Sequence, residues 1–344
     1  MPSPRLTTSI LSLCLLALFP AAAVVATESD APRVLETVVV SGELPGPGLW
    51  RVHRDGHELY LLGTVHPLPK RMQWTADEVD AAVAAAAVVL LTPRVKIDVE
   101  GNFFRRLGLL PSALKARNNP DGQRLQAVLD VDTYDRWTRL KKRYLGNDRG
   151  VEKRRPLVAA QELFDAALDA EDLAGGNLAA ARVRTQAKKH KVAMRQPGFT
   201  IDIPVGEAKQ MLGFLREQAL DDIGCLQATL DRLESDVETM KLRANAWALG
   251  EIELLSTLRT TDTQRACVDV LLESALAERH GLSDLPQRLR KAWIEAAISA
   301  LDEHPRSFGL LPLRQITDAD GYVAELAARG YSVEAPAPRQ PLAP

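Results

Sequence analysis

The chain has 344 residues, 46% hydrophobic and 26% charged, with 43 Lys plus Arg against 45 Asp plus Glu. A net charge of −2 and a pI near 6.3 exclude a dedicated nucleic-acid binder, which carries a clear basic excess. The same usage excludes disordered, collagen-like and heptad-only chains. The length allows a sizeable core, filled mainly by Leu, Val, Ile and Ala because aromatics reach only 5%.

Residues 1–26 read as a signal peptide. Arg5 supplies a positive start, Ile10 to Phe19 a short apolar run, and Ala21 to Ala26 the small residues of a cleavage site. A membrane span needs about 20 apolar residues, which this run reaches only by including the cleavage region. The expectation is a cleaved, exported chain, periplasmic or secreted, with no transmembrane anchor left. Loss of Cys14 then leaves Cys225 and Cys267 in an oxidising compartment, and their pairing as a disulfide is expected. The loop closed, about 43 residues, would be worth on the order of 3–4 kcal/mol in the chain-entropy model.

Residues 27–48 read as a linker or edge strand that ends in Pro45-Gly46-Pro47-Gly48, where no regular element can continue. Leu35 to Gly42 within it also looks like the short apolar tag before the plug of outer-membrane receptors. Trp50 to His66 then reads as a β-hairpin, because Asp55-Gly56 suits a type I′ turn. Its second strand, Leu59-Tyr60-Leu61-Leu62, is continuously apolar, as a strand covered on both faces should be. A capping box at Thr75-Ala76-Asp77-Glu78 opens a helix to about Ala86, and Val88 to Leu91 forms the next buried strand.

From Phe103 to about Leu301 the pattern is almost wholly helical. Ile223, Leu226, Leu230, Leu233, Val237, Met240, Ala244 and Trp247 form a coiled-coil-like seam, expected to pack as a helix hairpin. A further helix carries Leu289, Trp293, Ala297 and Leu301. The sheet returns with a strand at Ser307 to Leu313, a helix at Asp318 to Arg329 closed by Gly330, and a last strand at Tyr331 to Val333. The expected fold is α/β (α+β): a split mixed β-sheet from the N- and C-terminal segments, with a large helical insertion at about 103–301. One domain is expected over 49–333, followed by a disordered Pro-rich tail at 334–344.

Among the six histidines none forms a helical metal pair, and no Cys-x-x-Cys, phosphate-binding glycine loop or G-x-S-x-G elbow is present. His66 stands out by position, just beyond a buried strand, where α/β folds build their sites. A ring nitrogen there could meet a metal, with Gly63 letting the backbone turn closely. The plain alternative is a hydrogen-bonded loop histidine.

The run Leu61-Leu62-Gly63-Thr64-Val65-His66-Pro67-Leu68-Pro69 after Trp50 resembles the opening of the TraB/GumN (TraB/PrgY/GumN) family, related to the Tiki membrane-tethered proteases. Ala246-Trp247-Ala248-Leu249-Gly250-Glu251 and the closing Asp320-Gly321-Tyr322-Val323 through Val333 extend the likeness over nearly the whole mature chain. The resemblance implies a metal-dependent hydrolase fold whose site combines a Gly-x-x-His, a glutamate on the next strand and a second Gly-x-x-His on a late strand. The first maps onto Gly63 and His66, with Trp247 and Gly250 as supporting motif residues. The glutamate position falls on Leu91, and the second motif on Pro312 to Gln315.

A hydrolytic metal needs about three protein ligands and an open position. Leu91 and Gln315 supply neither a carboxylate nor an imidazole, so His66 is the one candidate catalytic and metal-binding residue left. The expectation is a pseudoenzyme with no cofactor that binds an envelope protein, peptide or anionic polysaccharide. An active metallopeptidase-like hydrolase is the alternative, holding zinc, manganese or cobalt through a shifted ligand set drawn from Asp98, Glu100, His304 or Asp318. An envelope scaffold or assembly factor is the third reading. Two basic runs, eight Lys and Arg against Asp148 and Glu152 over 139–155, and Arg182, Arg184, Lys188, Lys189 and Lys191, fit either a solvated helix face or an anionic partner.

Overall fold

The computed structural model describes residues 44–217, 222–258, 267 and 282–337. The Asp55-Gly56 turn takes the backbone its sequence favours, with φ of 54° and 83°, and joins β1 (Trp50–Arg54) to β2 (His57–Thr64) in an antiparallel hairpin. Leu59, Leu61 and Leu62 are fully buried, as their continuous apolar run requires. Next comes α1 (Asp77–Ala85), then β3 (Val88–Leu90). The expected Thr75 cap is absent: Ala76 holds the N-cap position with no side-chain bond. Asp77, Glu78 and Asp80 in the first turn favour the helix dipole instead.

The sheet closes from the far end of the chain. β7 (Arg306–Pro312) inserts between β2 and β3, parallel to both, and β8 (Ser332–Glu334) pairs antiparallel with β1. With β5 (Ala193–Arg195) beside β3, the strand order is β5-β3-β7-β2-β1-β8, a mixed six-stranded sheet. Glu334, placed in the tail by sequence, belongs to β8, and Arg51 grips its carboxylate at 2.7 Å. Gly309 in β7 lets the Leu61 and Trp293 side chains close over the strand: a Cβ there would stand 2.7 Å from Leu61 Cδ2.

The insertion is mostly helical but not wholly so. α2 (Phe103–Leu107), α3 (Leu110–Ala116), α4 (Leu125–Val128), α5 (Val131–Tyr144), α6 (Pro156–Ala170) and α7 (Leu178–Lys189) precede β5. A second, two-stranded parallel sheet then joins β6 (Gly198–Pro204) to β4 (Arg94–Glu100), which lies just before the insertion. Sequence reading missed β4, β5 and β6. Val95-Lys96-Ile97-Asp98-Val99-Glu100 and Phe199-Thr200-Ile201-Asp202-Ile203 both alternate with period two, the signal that could have found them. β5 has three exposed residues and no such signal.

α8 (Val205–Glu217), α9 (Ile223–Ser235), α10 (Val237–Leu249) and α11 (Ile252–Thr257) follow, then α12 (Leu285–Glu303), α13 (Leu313–Thr317) and α14 (Tyr322–Ala328) around the returning strand. The coiled-coil-like seam breaks at Asp236 into α9 and α10 and serves two cores. Leu226, Leu230 and Leu233 join α4, α5 and α6 in a satellite cluster around Trp137. Ala244 and Trp247 enter the main core around the sheet. The helix read at Asp318 to Arg329 is shorter, starting at Tyr322, because Gly321 takes the N-cap in extended geometry.

Candidate functional site

Three parallel strands end side by side. Gly63 and Thr64 of β2 pair with Leu311 and Pro312 of β7, while Leu90 of β3 pairs with Gly309. The segments carrying His66, Leu91 and Pro312 to Gln315 therefore leave the sheet at one edge, the carboxyl edge where α/β folds site their chemistry. Distances of roughly 250 residues along the chain are removed by this one register.

The edge is filled with hydrocarbon. Val65, Leu91, Leu313 and Ile316 are all buried. A Cβ on Gly63 would stand 2.7 Å from Leu313 Cδ1 and 3.3 Å from the Trp50 ring, so the glycine makes room for packing rather than for a ligand. Trp247 donates its indole N–H to the Gly63 carbonyl at 2.7 Å, and its ring meets Trp74 edge-on at 5.2 Å between centroids. Gly250, at φ 74°, stops α10 in a left-handed cap, with Glu251 N–H returning to the Ala246 carbonyl at 2.9 Å. Trp50, Gly63, Trp247, Gly250 and Leu313 all line one cavity of about 10 Å³, whose other walls are also glycine, proline and aliphatic residues.

His66 itself is exposed at the mouth of this edge. Its pKa is lowered, first by partial desolvation and then by the cationic Arg232, with a backbone hydrogen bond at Gly176 acting in the opposite sense. Arg232 is a site neighbour that sequence reading missed. It sits buried on α9 over the Phe164 ring at 5.0 Å, off the apolar seam and beside Asp231, so nothing in the local sequence singled it out. Gln315 is half-buried on α13, and Pro312 serves as the exposed N-cap of that helix.

The alternative ligands do not gather here. His304 precedes β7, and the Glu58 N–H bonds the Pro305 carbonyl, so His304 lies at the opposite edge of the sheet, a full strand length from His66. Asp98 and Glu100 belong to β4 in the other sheet, where Asp98 pairs with Arg106 at 3.3 Å. Asp318 pairs with Arg314 at 3.4 Å. Among the described residues no three His, Cys, Asp or Glu side chains converge as a metal-holding group. One imidazole without a carboxylate or a second imidazole does not fit a hydrolytic divalent ion.

The other residues singled out in the sequence have clear places. The Cys225 and Cys267 sulfurs stand at disulfide distance, 1.96 Å, with Cys225 fully buried in the satellite core. Five of the eight cations over 139–155 face carboxylates: Arg139 and Glu234, Lys141 and Glu152, Arg143 and Glu171, Arg154 and Glu162, Arg155 and Asp222. In the second run Arg182 holds Asp80 through two hydrogen bonds. The first run is thus mostly matched by carboxylates, while Arg184, Lys188, Lys189 and Lys191 of the second lie exposed. The signal segment and the receptor-like tag fall outside the described residues.

A family profile matches residues 48–335, from the glycine before β1 to the residue after β8. The chain belongs to the TraB/PrgY/gumN family. No curated protein and no solved structure matches it. The TraB/PrgY/gumN match takes in both halves of the split sheet and everything between them, so the helical insertion is part of the family domain. Within the matched range, Gly63, Trp247 and Gly250 meet around one apolar cavity.

Proposed function

We propose that this TraB/PrgY/gumN protein is an exported, non-catalytic member that binds a partner in the cell envelope. The observation that carries the reading is the carboxyl edge of the sheet, where Leu91, Leu313 and Ile316 occupy the interior and His66 offers one imidazole. An apolar, nearly closed edge retains the fold while giving up the donor set of a hydrolase. Export is supported by the tripartite start of the sequence and by a cysteine pair at bonding distance, which suits an oxidising compartment. Among the described residues no helix is long and apolar enough to cross a membrane.

Metal content tests the proposal. The exported protein and its His66→Ala variant should both hold well below one equivalent of zinc, manganese or cobalt by plasma mass spectrometry. They should also be equally inert toward peptide substrates with each metal added. One equivalent in the wild type that disappears in His66→Ala, together with metal-dependent hydrolysis, would establish the metallopeptidase reading instead.

A further inference from the structure

The sequence Phe103-Phe104-Arg105-Arg106-Leu107-Gly108-Leu109-Leu110-Pro111-Ser112-Ala113-Leu114-Lys115 carries apolar residues at 103, 107, 110 and 114. That alternation of four, three and four marks one face of a helix, and such a stripe ordinarily faces a core. Here it faces solvent. Phe103 is 70% exposed, Phe104 79%, and Leu107, Leu110 and Leu114 about half, with Ile97 of the neighbouring β4 at 63%. Gly108 and Leu109 keep right-handed helical dihedrals between α2 and α3, so the stripe runs on from one helix to the other.

The stripe is held in place rather than left loose. Asn102 caps α2 by accepting the Arg105 N–H at 2.9 Å, and the Arg106 Nε donates to the Gly101 carbonyl at 3.0 Å. The two phenylalanine rings stand edge to face, 5.7 Å apart. Six large apolar side chains exposed on neighbouring segments mark an interaction surface.

Charge selects the occupant. Residues 94–117 hold six cations (Arg94, Lys96, Arg105, Arg106, Lys115 and Arg117) against Asp98 and Glu100, and Glu162 takes up Arg117 at 2.7 Å, leaving a net of +3 in a chain whose total is −2. A second copy laid face to face would set positive charge against positive charge. A bilayer with acidic phospholipids offers both halves of the match: acyl chains for the rings and leucines, and phosphates for the guanidinium and ammonium groups. We propose that α2 and α3 form a membrane-surface docking face, with Phe103, Phe104, Leu107 and Leu110 entering the headgroup boundary of an anionic phospholipid bilayer and Arg105 and Lys115 meeting its phosphates. This face is separate from the sheet edge and does not depend on how that edge functions.

Vesicle flotation tests it, using the purified protein, its Phe103→Ser/Phe104→Ser variant and its Arg105→Glu/Lys115→Glu variant. Vesicles of phosphatidylcholine with a third phosphatidylglycerol should carry the wild type at least tenfold better than pure phosphatidylcholine. Each variant should lose at least tenfold of that partitioning with an unchanged circular-dichroism melt, since all four substituted side chains are exposed. Any remaining segment of the chain is common to all three proteins, so the difference reports this face. Equal flotation of wild type and variants, or no preference for the anionic vesicles, would overturn the proposal. A lipid-free dimer by light scattering that the Phe103→Ser/Phe104→Ser change dissociates would overturn it too, and assign the face to self-association.

Discussion

His66 shows how much one residue's surroundings decide. The histidine keeps its exposed position at a sheet edge, yet desolvation and the Arg232 charge hold its pKa below the ordinary value. The unfolded chain takes up this proton near pH 6.5 and the folded chain only at lower pH. Between those points the unfolded state binds more protons, so the contribution to stability is fully present above pH 6.5 and is lost as pH falls through the folded pKa. His66→Gln should therefore flatten the fall in melting temperature between pH 7.5 and 5, measured by calorimetry in buffers of matched ionic strength. An unchanged slope would show that the imidazole has no such coupling. Gly63 was legible as a motif residue, but its reason was not: the Leu313 methyl that fills its Cβ space comes from the other end of the chain.

At the scale of elements, the start of α6 illustrates a cap supplied from afar. Pro156 at the first turn removes one N–H from the problem. The Leu157 N–H goes to Asp222 Oδ2 at 3.1 Å, and Arg155 Nε stands 3.6 Å from the same oxygen, with both side chains almost fully buried. Burial pushes the Asp222 carboxyl up while Arg155 pulls it back. Asp222→Ala should cost about 3–5 kcal/mol in urea denaturation, because it strips a carboxylate from a buried guanidinium. Asp222→Asn should cost clearly less, since its amide oxygen can still accept from Leu157. Equal losses would mean that the charge, not the hydrogen bond, dominates.

For the molecule as a whole, the satellite core around Trp137 is tied by the Cys225–Cys267 bond, which joins α9 to a residue 42 positions on. Cys225→Ser with Cys267→Ser should lower stability by about 3–4 kcal/mol through the unfolded-state entropy of that loop. The same drop should appear in wild type on adding reductant. Coincident urea midpoints for oxidised and reduced protein would refute a stabilising role. The sheet's central strand β7 arrives only after the whole insertion, so the main core depends on pairing Gly63 with Leu311 across a very long loop.

Sequence alone determined the hairpin, the buried strands, the split sheet and the family, because each rests on local turn chemistry, on period or on a contiguous motif; the cysteine pair came from a count, two cysteines outside the signal segment. It also showed that Leu91 and Gln315 supply neither a carboxylate nor an imidazole, since residue type needs no coordinates. The β4–β6 sheet was written in its alternation but overlooked beside a long helical pattern. Only the tertiary structure decided that His304 lies on the wrong edge, that most of the cations over 139–155 face carboxylates, and that one apolar stripe faces water. Those outcomes depend on which distant segments share a register or a face, and no local pattern encodes that pairing.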